Sequence, residues 1–75
     1  MYKVVFEFDH DEIDIVQVLE KQGQDWTLLK DETLLEKIEN KFLSTRSQNP
    51  SSKGYGQVVY GPNLNYITGT FEIMK

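Results

Sequence analysis

Two short stretches carry the residue types from which chemistry could be built. Lys53-Gly54-Tyr55-Gly56-Gln57-Val58-Val59-Tyr60 sets a cation, two tyrosine rings and two positions without side chains close together. Those types can hold a phosphate, stack on a base and let a ligand approach the backbone. Asp9-His10-Asp11-Glu12-Ile13-Asp14 gathers four carboxylates around the only histidine of the chain. Such a group could ligate a cation, work as acid and base, or attract a basic partner.

The octapeptide resembles the signature strand of the RNA recognition motif family. Lys53, Gly54, Tyr55, Gly56, Val58 and Tyr60 fit its pattern. The resemblance implies that Tyr55 faces outward on a sheet and stacks on a base. Gln57 stands where the family has a second stacking ring, and Lys3, Val5 and Glu7 occupy the outward face of the first strand, where a companion aromatic belongs. The family also continues into a helix, whereas Gly61-Pro62-Asn63 turns this chain straight into another strand. A glycine-flanked strand accounts for the pattern without RNA.

The acidic stretch fails as a calcium loop. Counted from Asp9, an EF-hand loop finds Asp11 and Glu20, but it meets Ile13 at a ligand position and Asp14 where the turn needs glycine. No metal and no cofactor are expected. No nucleophile lies near His10, the serines crowd into residues 44–52, and there is no cysteine. The sequence therefore nominates no catalytic residue.

Charge separates the remaining functions. The chain of 75 residues has a net charge of −4. Residues 1–14 hold five acids against Lys3 alone, so the excess sits near one point. A nucleic-acid binder needs a basic stripe, because phosphate neutralisation dominates its affinity. The balance points instead to a larger protein with a basic surface, with nucleic acid disfavoured. No apolar run has the length of a membrane span or a signal peptide, and the absence of cysteine fits a reducing compartment, so the expected location is cytoplasmic.

The elements that must position these residues follow from periodicity. Tyr2–Phe8 alternates as a half-buried strand. Asp9 and Glu12 match a capping box, Phe8 and Ile13 a hydrophobic staple, and Ile13, Val16 and Leu19 follow at helical spacing to a stop at Gly23. These signals favour a helix over residues 11–22. Ile13, Ile15, Val16 and Val18 are β-branched, which leaves a strand paired with the first one open. Residues 25–30 form a link or open a second helix. Thr33 and Glu36 then make another capping box, ahead of the stripe Leu34, Leu35, Ile38 and Phe42. Residues 44–53 read as a loop, either functional or simply mobile. Strands follow at Gln57–Tyr60 and Tyr66–Met74, joined by a turn over Gly61–Asn65.

The order β-α-α-β-β implies a small single α+β domain over residues 1–75. Its largely antiparallel three-stranded sheet would carry both helices on one face. The expected core is Val4, Phe6, Phe8, Ile13, Val16, Leu19, Leu35, Ile38, Phe42, Val58, Ile67, Phe71 and Ile73. By size and charge alone the chain is similar to the small inhibitors that phages and other mobile elements make against host defence nucleases, anti-CRISPR proteins included. That likeness implies a non-enzymatic module acting by steric block or phosphate mimicry. Asp9, Asp11, Glu12 and Asp14 would supply the charge, with Tyr55, Gln57, Tyr60 and Tyr66 as contacts. Two alternatives stay open: a single-stranded RNA or DNA binder using the Lys53–Tyr60 strand, and a homodimer with a structural or regulatory role.

Overall fold

The β-branched load of residues 13–18 decides the fold. In the computed structural model, which describes residues 1–10, 12–45 and 53–74, this stretch is extended and lies against the first strand. The described elements are β1 (Tyr2–Asp9), β2 (Glu12–Gln22), β3 (Asp25–Leu28), α1 (Glu32–Thr45), β4 (Lys53–Tyr60) and β5 (Tyr66–Met74). They form a five-stranded sheet in the order β3-β2-β1-β4-β5, antiparallel at every pairing, with one helix. The expected three-stranded sheet with two helices is thereby corrected.

The local signals for a first helix are satisfied in another way. Asp9 pairs with Glu12 across a two-residue hairpin loop, and His10 takes the left-handed backbone (φ 57°) that such a turn requires. Gly23, expected as a helix stop, serves the next two-residue turn at φ 65°, between Gln22 and Asp25. Residues 25–28 then pair with residues 19–22 as β3.

The helix that does form begins earlier than its capping box suggests. Asp31 Oδ1 accepts hydrogen bonds from the backbone N–H groups of Thr33 (3.0 Å) and Leu34 (3.2 Å), so Asp31 is the cap. Ile38 and Phe42 project from α1 into the core, where the Phe42 and Phe6 ring centroids lie 4.9 Å apart.

The core holds Val4, Phe6, Phe8, Val18, Leu29, Ile38, Phe42 and Tyr60. Val16, Ile67, Phe71 and Ile73, expected inside, are exposed. A bulge explains the first of them: Val5 pairs with Gln17 and Phe6 with Ile15, so Val16 has no partner on β1 and Val18 returns to the buried face. Position explains Phe71 and Ile73. They lie on the helix side of the edge strand β5, which contributes nothing to the core cluster. The packing is thus concentrated on β1 and its two neighbours.

Candidate protein-binding face

The register places one face of the sheet under α1 and leaves the other open. Lys3, Val5, Glu7 and Asp9 of β1 lie on the open face. They are flanked by Glu12, Asp14, Gln17 and Leu19 of β2 and by Lys53, Tyr55, Gln57 and Val59 of β4. Thr68, Thr70, Glu72 and Met74 extend this face onto β5.

Two successive cross-strand pairs on this face set acid against acid. Glu7 opposes Asp14, and Asp9 opposes Glu12. Directly opposed side chains start about 5 Å apart, and the two rows are about 7 Å apart along the strand. Like charges in this relation cost roughly 0.2–1 kcal/mol per pair. Lys53 faces Asp9 from β4, and His10 Nδ1 lies 2.7 Å from Asp9 Oδ1. Among the described residues, no basic side chain stands across from Glu7 or Asp14.

Tyr55 continues the acidic row. It sits between Glu7 on β1 and Glu72 on β5, and its hydroxyl donates to Glu72 Oε2 at 2.7 Å. Donating that hydrogen bond, and then the negative charge of Glu72, raise the phenol pKa above its ordinary value of 10.0. Tyr55 is 48% exposed. Gln57 lies one row further along, between Val5 and Thr70, and is exposed. Row by row the face runs from carboxylates through a tyrosine to neutral amide and hydroxyl groups.

The other two tyrosines leave this group. Tyr60 is 1% exposed and belongs to the core, so it offers no surface to a partner. Tyr66 is exposed but faces the helix side. A second bulge sets Tyr60 against Tyr66 and Val59 against Thr68, which reverses the side that simple alternation assigns to Tyr66. Asp11 lies outside the described residues. The structure therefore brings together Asp9, Glu12, Asp14, Tyr55 and Gln57, and it adds Glu7 and Glu72. The sequence signal for Glu7 was its alternation on the strand opposite Val4, Phe6 and Phe8. Glu72 could be found only by pairing the last two strands.

The glycines of the octapeptide serve packing. Gly54 and Gly56 lie under the helix side of β4, opposite Phe8 and Phe6. A Cβ on Gly56 would come within 2.7 Å of Phe71 Cβ and 2.8 Å of Phe6 Cζ. The bare backbone lets Phe8 of β1 and Phe71 of β5 meet edge to face across β4, with centroids 6.2 Å apart.

Further along the open face, a cationic corner balances the acidic one. Lys3 Nζ sits 4.3 Å from the centroid of the Trp26 ring, with Lys21 Nζ at 6.0 Å. An open groove of about 790 Å³ lies on the helix side, between β2–β3 and the start of α1, lined in part by Glu20, Thr27, Leu29 and Leu34. His10 is at the opposite end of β2, in the β1–β2 turn, and takes no part in it. Among the described residues, no three acid or histidine side chains gather as a metal-ion group, and no helix is long and apolar enough to cross a membrane. No protein-family model, curated protein or solved structure matches this chain.

Proposed function

We propose that this chain is a non-enzymatic binding module whose acidic sheet face docks on a basic surface of a larger protein. One observation carries the reading: Glu7, Asp9, Glu12 and Asp14 stand in two acid-on-acid pairs on an open sheet face beside the half-exposed Tyr55. An arrangement that costs folding stability invites a role outside folding. Carboxylates in rows about 5 by 7 Å apart offer a basic groove a fixed array of negative charge. An enzyme that grips nucleic acid through such a groove fits this description, and occupying the groove would inhibit it. Tyr55 and Gln57 supply the less charged contact area beside the charges.

The same surroundings weigh against Tyr55 as a stacking platform for RNA or DNA. Glu7 and Glu72 flank the ring, and the Tyr55 hydroxyl is already engaged by a carboxylate. A phosphate backbone drawn to that ring would approach two negative charges.

The test compares wild-type protein with a variant carrying Glu7→Gln, Asp9→Asn, Glu12→Gln and Asp14→Asn, each used as immobilised bait at low and high salt. Wild type should retain a basic protein at low salt and release it at high salt, and the variant should not retain it. The variant should be no less stable in urea than wild type, since each neutralised pair relieves roughly 0.2–1 kcal/mol of repulsion. Equal capture by both baits, or recovery abolished by nuclease treatment, would refute the reading.

A further inference from the structure

The two edges of the sheet are built on different rules. At one edge, β3 covers Leu19–Gln22 of β2, Leu29 N–H bonds the Val18 carbonyl, and no described strand pairs with the outer side of Glu12–Gln17. Glu12, Asp14 and the bulge at Val16 lie on that stretch. Charges and bulges are the means by which an edge is kept from pairing with another chain.

The other edge carries such protection only near its start, at the bulge at Ile67. Strand β5 has nine residues, contains no proline and carries Glu72 as its only charge. Glu72 is turned to the open face and engaged by the Tyr55 hydroxyl. Beyond the bulge at Ile67, residues 68–74 run in regular register. On the helix side Phe71 is 61% exposed and Ile73 51%, because the core cluster stops at β4.

From these observations we infer that β5 pairs antiparallel with β5 of a second copy, about a two-fold axis near Thr70, to make one continuous ten-stranded sheet. The strand is self-complementary about that point. Each Phe71 comes opposite the partner's Gly69, which has no side chain, and each Glu72 comes opposite the partner's Thr68. The two Glu72 side chains are then about 13 Å apart along the strand direction.

Area and charge both allow the pairing. Tyr66, Ile67, Phe71, Ile73 and Met74 are each about half exposed. An aromatic side chain can bury ~150–250 Å², so the exposed parts of Tyr66 and Phe71 supply roughly 200 Å² per copy, and Ile67, Ile73 and Met74 add aliphatic area beside them. The paired strand backbones add to this, towards the ~1,200 Å² at which stable interfaces begin. Strands lie about 4.8 Å apart, which separates the two acidic β2 strands by about 34 Å in the ten-strand order. That is several screening lengths at physiological salt, where the Debye length is about 8 Å. The two-fold axis leaves both acidic faces on the same side of the sheet.

Sedimentation of the whole chain across the micromolar range tests the pairing, together with single cysteines placed in a chain that has none. Wild type should sediment at twice the monomer mass. Thr70→Cys should oxidise to a covalent dimer, because residues opposed across an antiparallel pair have Cα atoms about 4.5–5.5 Å apart, within disulfide reach. Asp14→Cys, on the other edge, should remain monomeric under the same oxidation on denaturing gels. The double variant Phe71→Lys and Ile73→Lys should sediment as a folded monomer with an unchanged far-ultraviolet spectrum. A monomeric wild type overturns the inference. So does a wild-type dimer in which Asp14→Cys cross-links and Thr70→Cys does not. Either failure leaves the acidic face intact, so bait experiments with the neutralised variant remain a separate test of that face.

Discussion

The β1–β2 hairpin and the β4–β5 hairpin are alike in build and opposite in character. Each pairs two long strands antiparallel, and each carries one bulge, at Val16 and at Ile67. The first buries Val4, Phe6, Phe8 and Val18 beneath α1 and lines its open face with carboxylates. The second buries Tyr60, leaves Phe71 and Ile73 exposed on its helix side and has Glu72 as the only acid of its two strands. Hydrophobicity therefore does not decide burial in a sheet this wide. One fourteen-residue helix spans about 21 Å along its axis and is only about 10 Å across. It covers the centre of the sheet and leaves an edge strand uncovered.

Truncation beneath the helix and on the uncovered edge should differ most in cost. Ile38→Ala empties the centre of the core, where Ile38 is wholly buried, and should cost about 2–5 kcal/mol in urea unfolding. Ile73→Ala, at a similar apolar position on the uncovered side, should change the stability of the dilute protomer by about 0.5 kcal/mol or less. Equal losses at the two positions would mean that β5 is covered after all.

A smaller effect is expected where the hairpins touch. Gly56→Ala would push a methyl group between Phe6 and Phe71 and against the Thr70 carbonyl, and should cost about 1–3 kcal/mol by overpacking. A neutral outcome in the same unfolding assay would show that the two rings do not close over β4.

The weakest effect concerns the Tyr55–Glu72 pair on the open face. Tyr55 has a raised pKa because Glu72 accepts a hydrogen bond from its hydroxyl and repels its anion. Glu72→Gln should bring the Tyr55 transition in an ultraviolet pH titration back down towards 10.0. The sign for stability follows from linkage. A phenol whose folded pKa lies above its unfolded value contributes stability that is fully present below the unfolded pKa and is lost as pH rises through the folded one. Wild type should therefore lose this contribution in the alkaline range above about pH 10, and Glu72→Gln should lack that pH-dependent contribution. An unchanged titration curve would remove the Tyr55–Glu72 bond from the description of the face.

Several elements were legible in the residues alone. The alternation of Tyr2, Val4, Phe6 and Phe8 marks β1, the stripe of Ile38 and Phe42 marks α1, and Gly61–Asn65 marks the last turn. Residues 12–22 were not legible, for a specific physical reason. Asp9, Glu12 and Gly23 suit a capped helix, yet an acid-flanked two-residue turn and a glycine turn use the same residue types. The bulge at Val16 also interrupts the alternation of Ile13 and Ile15 before Val18, so the apolar spacing imitates a helix. Preference for β at those positions is weak until β1 lies alongside.

The candidate face divides along the same line. Composition alone located the negative charge in residues 1–14, and the octapeptide's resemblance to an RNA-binding strand implied an outward Tyr55. That Glu7 faces Asp14, that Glu72 reaches Tyr55 from a residue 17 positions away, and that Tyr60 is buried were all decided by register. A sequence determines which side chains alternate, because that is a property of one strand. Which side chains oppose one another depends on two strands and on where a single extra residue interrupts their pairing. A one-residue slip exchanges the faces, and only long-range packing of the buried face selects the register.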